Sequence, residues 1–300
     1  MKINTLEVTE QPEGLGFTSM RNLVNQTLEK DLETMLQPGN IPSGFRALDK
    51  CLGGFKKGQL YIVAVKPGMG KTAFLLSIAN NMAIKDDYAV AIFSSERSNL
   101  KMTKRIIESE TGMSLEKLQS GIFKESEKDH LRSLLSYIAK AKIFIDDTAS
   151  IALDDLARKA VQLKDGLGTD IIIVDYLELI TVTESATTDR PAQLAEILDQ
   201  LKALAHKLDI PVLIFTQSAA MVNGQGNSAE PSAFGLPGFL QKASDVLMLL
   251  HRNDAFPVYT KSGKSAVELK IIKKGSPEEE YMVPLHFIGS IEKFADYVKQ

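Results

Sequence analysis

Leu60-Tyr61-Ile62-Val63-Ala64, then Val65-Lys66-Pro67-Gly68-Met69-Gly70-Lys71-Thr72, then Ala73-Phe74-Leu75-Leu76-Ser77-Ile78-Ala79 reads as an apolar strand, a glycine loop and a helix. A loop of this kind turns backbone N–H groups toward the phosphates of a nucleotide, and the positive end of the following helix adds to the field. Gly68 and Gly70 let the backbone come close where a Cβ would intrude. Lys71 is placed to reach the β- and γ-phosphates, and the Thr72 hydroxyl to ligate Mg²⁺. Pro67, Met69 and Ala73 complete the expected nucleotide-binding segment. The pattern G-x-x-x-x-G-K-[ST] is met except at its first position, where Val65 stands. The competing reading is a glycine-rich turn that binds nothing, and Gly-Lys-Thr between a strand and a helix argues against it.

Three hundred residues with 44% hydrophobic content suffice for a large core in one or two domains. A net charge of -3 supplies no overall positive field, so a nucleic-acid partner would be held by local basic loops or by several subunits together. Cys51 stands alone, which excludes an internal disulfide and fits a reducing cytosol, with packing beside Leu52 as its expected role. No apolar run approaches membrane-spanning length, and Met1-Lys2-Ile3-Asn4 leads into no signal-type apolar core. The expectation is a cytoplasmic protein with no membrane partner.

Residues 1–16 carry Pro12, Gly14 and Gly16 among polar groups without periodicity and read as a flexible arm. Within 17–38, Met20, Leu23, Val24, Leu28, Leu32, Met35 and Leu36 recur at threes and fours before Pro38-Gly39, the pattern of an amphipathic helix. Its apolar stripe either folds back on its own domain or docks on a neighbouring subunit. The motor domain is expected over 39–300.

Tyr88-Ala89-Val90-Ala91-Ile92-Phe93-Ser94 reads as a strand ending at Ser95-Glu96-Arg97. Glu96 then lies on the ligand edge of an open α/β sheet, either orienting an attacking water or standing as a solvated carboxylate. Residues 99–140 read as helices broken near Gly121, followed by a short strand at 142–148 and a helix from Leu153 to Leu163. Asp170-Ile171-Ile172-Ile173-Val174-Asp175 is a continuous apolar run ending in an acid, the mark of a parallel strand covered on both faces. Asp175 is placed to hold Mg²⁺ through a water. Pro211-Val212-Leu213-Ile214-Phe215 ends in Thr216-Gln217, which puts Gln217 on the same edge as a γ-phosphate sensor or, alternatively, as a capping or water-bound amide. Residues 218–238 are too long for an ordinary connection and read as a functional loop. Strands at 246–251, 266–272 and 281–287 close the chain, the last two as a hairpin turning at Gly275-Ser276-Pro277. Lys71, Glu96, Asp175 and Gln217 on one edge argue a nucleoside-triphosphatase with an α/β fold, RecA-like, a mainly parallel sheet with helices on both faces and a C-terminal β-hairpin.

Over about residues 17–300 the chain resembles the replicative DnaB-type helicases. The segments that carry the resemblance are Ile41-Pro42-Ser43-Gly44-Phe45 with Leu48-Asp49, Pro67 to Thr72, Phe93-Ser94-Ser95-Glu96, and Ser109-Glu110-Thr111-Gly112. Phe144-Ile145-Asp146-Asp147-Thr148, Gly166-Leu167-Gly168, Val174 to Leu179, and Pro211-Val212 with Gln217 complete them. The resemblance implies that Lys71 and Thr72 bind ATP and Mg²⁺, Glu96 is the catalytic base, Asp175 is the Walker B acid and Gln217 is the sensor. It also implies a linker helix at 17–38 docking on the next subunit of a hexameric ring, with single-stranded DNA as ligand and a loader or primase as partners. Residues 1–16 offer no counterpart to the family's N-terminal domain, which forms a collar and recruits primase. Where the family places an arginine that reaches the neighbour's active site, Lys273-Lys274-Gly275 stands, making Lys274 the expected trans-acting catalytic cation and Arg252 the next candidate. The segment resembling the DNA-contacting loop, Ala233 to Gly238, leaves Arg190, Lys242 and backbone N–H groups as the phosphate contacts.

The leading expectation is an ATP-driven, ring-forming DNA helicase. A RecA-class ATPase without unwinding activity, co-assembling with or regulating another ring, is the alternative. Glu96 and Asp175 argue against a scaffold that binds nucleotide without turning it over.

Overall fold

The computed structural model describes residues 39–66, 68–182, 188–217, 238–251, 264–273 and 279–298. Six parallel strands form the framework: β1 (Leu60–Val65), β2 (Val90–Ser94), β3 (Ile143–Asp146), β4 (Ile171–Asp175), β5 (Val212–Gln217) and β6 (Val246–His251). Three antiparallel strands extend it: β7 (Lys264–Lys273), β8 (Glu279–Ile288) and β9 (Lys293–Asp296). One nine-stranded sheet results, in the order β3-β2-β4-β5-β1-β6-β7-β8-β9.

Side chains alternate across a strand, so the continuous apolar run of β1 serves two cores at once. Tyr61, Val63 and Val65 face the helices Arg46–Leu52, Lys71–Asn80 and Asn99–Thr111, while Leu60, Ile62 and Ala64 face Leu153–Leu167, Arg190–Leu208 and Gly238–Ala243. Every residue of β1, β2 and β4 is buried. The register sets Val65 beside Gln217 and Ser94 beside Asp175, which brings the C-terminal ends of four strands together on one edge. From β1 the chain crosses over β5 and β4 to reach β2, and from β5 it crosses to β6 on the other side. Ligands of open α/β sheets bind where connections diverge in this way.

The helix Lys71–Asn80 is buried from Thr72 to Asn80 and runs on through a π turn at Asn81–Lys85. Buried amides need partners. Asn80 Nδ2 donates to Ser109 Oγ at 3.2 Å and Glu110 Oε1 at 2.9 Å, and Asn81 Nδ2 donates to the Ser43 carbonyl at 3.3 Å.

β9 was absent from the sequence expectation and proves to be the strap over this helix. The Phe294 N–H donates to Ser77 Oγ at 2.9 Å, and its ring lies 5.2 Å from that of Phe74 and 5.0 Å from that of Phe287. Burying such a ring stabilises by roughly 1.5–3 kcal/mol. Lys293 Nζ reaches Glu110 Oε1 at 3.0 Å, so the strap and the Asn80 network share one carboxylate.

Two expectations are adjusted. The helix begun at Leu153 continues past Leu163 to Leu167 and stops at Gly168, which has the left-handed φ of 66°. Gly238 opens the helix Gly238–Ala243 rather than closing the preceding loop. The arm and helix of 1–38, Pro67, the loop 218–237, Arg252 and Lys274 lie outside the described residues. Among the described residues no helix is long and apolar enough to cross a membrane.

Candidate functional site

A cleft of about 270 Å³ opens on the C-terminal edge of the sheet, with Gly68, Gly70 and Lys71 to Ala73 on one side and Glu96, Arg97 and Gln217 opposite. Its floor follows from the fold. Gly70 caps the helix with φ 82° and Gly68 has φ 76°, the positive dihedrals that turn successive N–H groups to one side of a loop.

Lys71 joins the two acids that sequence reasoning assigned to this edge. Its Nζ lies 2.6 Å from Glu96 Oε2 and 2.6 Å from Asp175 Oδ1, and 3.8 Å from the centre of the Tyr176 ring. Asp175 is fully buried; burial pushes its carboxyl above the ordinary value, and the neighbouring Lys71 offsets only part of this. Asp175 Oδ2 is buried with no hydrogen-bond partner among the described residues. The Thr72 hydroxyl, also buried, accepts from Arg97 Nε at 3.2 Å, and Arg97 Nη2 stands 4.0 Å from Glu96 Oε1.

Beyond Asp175 a cis peptide bond leads to Tyr176, and a short 3₁₀ turn at Leu177–Leu179 follows. Glu178 sits in this turn. Its Oε1 accepts from the Thr216 hydroxyl and, at 3.2 Å, from the Gln217 N–H, tying the end of β4 to the end of β5. Burial pushes the Glu178 carboxyl up, and its Oε2 has no hydrogen-bond partner among the described residues. The Gln217 side chain lines the cleft at the end of β5.

The donor set fits a polyphosphate accompanied by a hard divalent cation. Among the described residues no group of three His, Cys, Asp or Glu side chains is placed to hold a metal. A metal here would use the Thr72 hydroxyl and the orphaned Asp175 oxygen, and would take its remaining oxygens from water and phosphate, as Mg²⁺ commonly does. A second cleft of the same volume lies between β3 and the helix Leu153–Leu167, but its walls are Ile92, Phe93, Phe144, Ile145 and Leu163, and its Lys159 is paired with Asp146.

The structure thus brings Lys71, Thr72, Glu96 and Gln217 to one cleft, with Asp175 buried behind Lys71. Arg190, expected as a phosphate contact, donates to the carbonyls of Glu178 and Ile180 at 2.9 and 3.0 Å. Among the groups that sequence reasoning missed, three stand next to the predicted ones. Arg97 was visible as the neighbour of Glu96 and Glu178 as an acid three residues past Asp175, whereas nothing local marked Tyr176 as the ring under Lys71.

Residues 40–296 match the family described as DnaB-like helicase C terminal domain. The Replicative DNA helicase DnaB of Geobacillus stearothermophilus is 31% identical over 295 residues, which is 97% of this chain and 64% of that protein. The Replicative DNA helicase DnaC of Bacillus subtilis (strain 168) is 30% identical over the same length, with the same 97% and 64% coverage. The chain therefore spans a little under two thirds of these relatives. A solved structure described as "The Structure Of A DnaB-Like Replicative Helicase And Its Interactions With Primase" superposes with TM-score 0.73 at 26% identity, covering 94% of this chain and 68% of that one. A second solved structure, described as an "ATPase Domain", gives TM-score 0.73 at 26% identity, covering 93% of this chain and 99% of that one. The fold is the RecA-like α/β arrangement, with a mainly parallel sheet and an antiparallel pair, β7 and β8, near its end.

Proposed function

The chain belongs to the DnaB-like helicase C-terminal domain family, and from that premise we propose that it is the motor of an ATP-dependent, ring-forming DNA helicase. The observation that carries this reading is the placement of Lys71 Nζ at 2.6 Å from both Glu96 and Asp175, beside a cleft lined by Gly68 and Gly70. Phosphoryl transfer asks for positioning and charge neutralisation more than for covalent chemistry, and these groups supply both.

In this reading Lys71 moves from the carboxylates onto the β- and γ-phosphates of ATP. Glu96, freed of its partner, orients the attacking water and accepts its proton. Thr72 and Asp175 hold Mg²⁺, which when bound neutralises charge on the phosphates. Gln217 senses the γ-phosphate, and its backbone, fixed by Glu178, passes the signal to the loop 218–237. That loop touches single-stranded DNA, with Lys242 on the helix that follows it. The helix of 17–38 docks on the adjacent subunit of a homohexamer, Lys274 acts on the neighbour's γ-phosphate with Arg252 as the next candidate, and a loader or primase engages the ring in the cytoplasm. A relative's structure described with primase interactions supports the last point.

ATP hydrolysis measured with and without single-stranded DNA, beside native mass, tests the reading. Hydrolysis stimulated by DNA in an oligomer is expected. Hydrolysis indifferent to DNA would assign the chain to the RecA-class ATPases that regulate another ring, and no hydrolysis under any condition would refute an enzymatic role.

A further inference from the structure

We propose that Arg97 is a positioning residue that competes with the divalent cation of a bound nucleotide for the Thr72 hydroxyl. The inference rests on the nucleotide-site reading above and adds a residue that the motif does not contain.

The geometry is local and specific. Arg97 directly follows Glu96 at the end of β2, so the chain delivers base and guanidinium to the cleft together. Its Nε donates to Thr72 Oγ1 at 3.2 Å while Nη2 stands 4.0 Å from Glu96 Oε1. A planar guanidinium can address a hydroxyl and a carboxylate at once, which the point charge of lysine does less well. Thr72 is 4% exposed and Arg97 retains 33% side-chain exposure, so the hydroxyl is fixed and the arginine has room to leave.

The Thr72 oxygen has two lone pairs, and one accepts from Arg97. Mg²⁺ bound to the other would lie roughly 2 Å from the oxygen. A divalent cation and a guanidinium would then crowd one oxygen as like charges, and the guanidinium must retreat before coordination is complete. Arg97 thereby raises the Mg²⁺ concentration at which nucleotide is held.

Binding of a fluorescent, non-hydrolysable ATP analogue to the full chain, titrated with Mg²⁺, provides the test. Arg97→Met keeps an apolar stem and removes the charge and the donors. Its Mg²⁺ midpoint should fall roughly three- to tenfold, the scale of one charge-assisted hydrogen bond that is partly exposed. Arg97→Gln should fall similarly, and Arg97→Lys should lie between these and the parent. A purely structural role would not lower the midpoint. An unchanged midpoint in the first two variants overturns the proposal, and so does a raised one, which would make Arg97 a phosphate ligand. Failure of the parent to bind the analogue at any Mg²⁺ concentration would remove the nucleotide-site reading itself along with this proposal, an outcome distinct from an unchanged midpoint.

Discussion

Adding one methyl group at Gly70 tests how the aromatic strap supports the phosphate loop. Gly70 has φ +82°, and an alanine Cβ there would lie 3.2 Å from Phe294 Cε2, 3.4 Å from Phe287 Cε2 and 3.5 Å from Phe294 Cζ. Gly68 has nearly the same dihedral, φ +76°, with nothing within 4 Å of the added atom. The left-handed backbone costs about 1–2 kcal/mol for either alanine. Only Gly70→Ala adds crowding, because carbon atoms prefer separations of about 3.5–4.0 Å. Phe294 has little freedom to give way: it is 2% exposed, packs on Phe74 and is held through its N–H by Ser77. Overpacking of that kind costs roughly 1–3 kcal/mol. Gly68→Ala should therefore lose about 1–2 kcal/mol and Gly70→Ala about 2–5 kcal/mol, read from urea midpoints with unchanged slopes. In a Phe294→Leu background the excess cost of Gly70→Ala should shrink, as coupled neighbours do in a double-mutant cycle. Equal losses for the two alanines, or an excess untouched by Phe294→Leu, would refute the claim that the ring of Phe294 buttresses the loop.

Two further perturbations probe the charges. Lys71→Ala should abolish nucleotide binding, while Glu96→Gln should keep binding and lose turnover, and equal loss of binding in both would refute the division of labour. Glu178→Gln tests the buried acid of the β4 turn: its raised pKa means that the folded chain binds a proton more readily than the unfolded one. The stability contributed by that proton is present below the ordinary value of 4.5 and is lost as pH rises through the higher folded value. The glutamine variant should thus gain stability relative to the parent as pH rises from about 4 to about 8 in thermal melts, and a relative loss over that range would reject the assignment.

The parts of this molecule that were legible in sequence are those whose signal is contained in one strand and its exit. β1, β4 and β5 are covered on both faces, so each reads as an unbroken apolar run, and the residue that ends the run is set on the ligand edge by topology alone. Asp175 and Gln217 were placed on that edge in this way, Glu96 by the exit of β2 and Lys71 by the glycine loop after β1. β9 was not foreseen, because it is four residues long with Phe294 as its one buried member, and the Ser77 hydroxyl that fixes it lies 217 residues earlier. No periodicity is measurable over so short a segment. The anchoring of Arg190 was hidden for a related reason: only the folded turn after β4 brings the carbonyls of Glu178 and Ile180 to its guanidinium.

The site shows a deeper limit. Motif reasoning treats Lys71, Thr72, Glu96 and Asp175 as four groups directed at a ligand, whereas their nearest contacts are with one another and with Arg97. Removing one partner from a buried charge is strongly unfavourable, so a phosphate that draws Lys71 away must arrive with something to take its place at Asp175. A metal-bearing nucleotide brings both charges at once. Nucleotide without metal offers Lys71 an anion and leaves Asp175, fully buried, with neither cation. On this argument the dependence on a divalent cation originates in the pairing of Lys71 with Asp175 as much as in the chemistry of transfer. It should therefore appear already in binding, before any bond to phosphorus is broken.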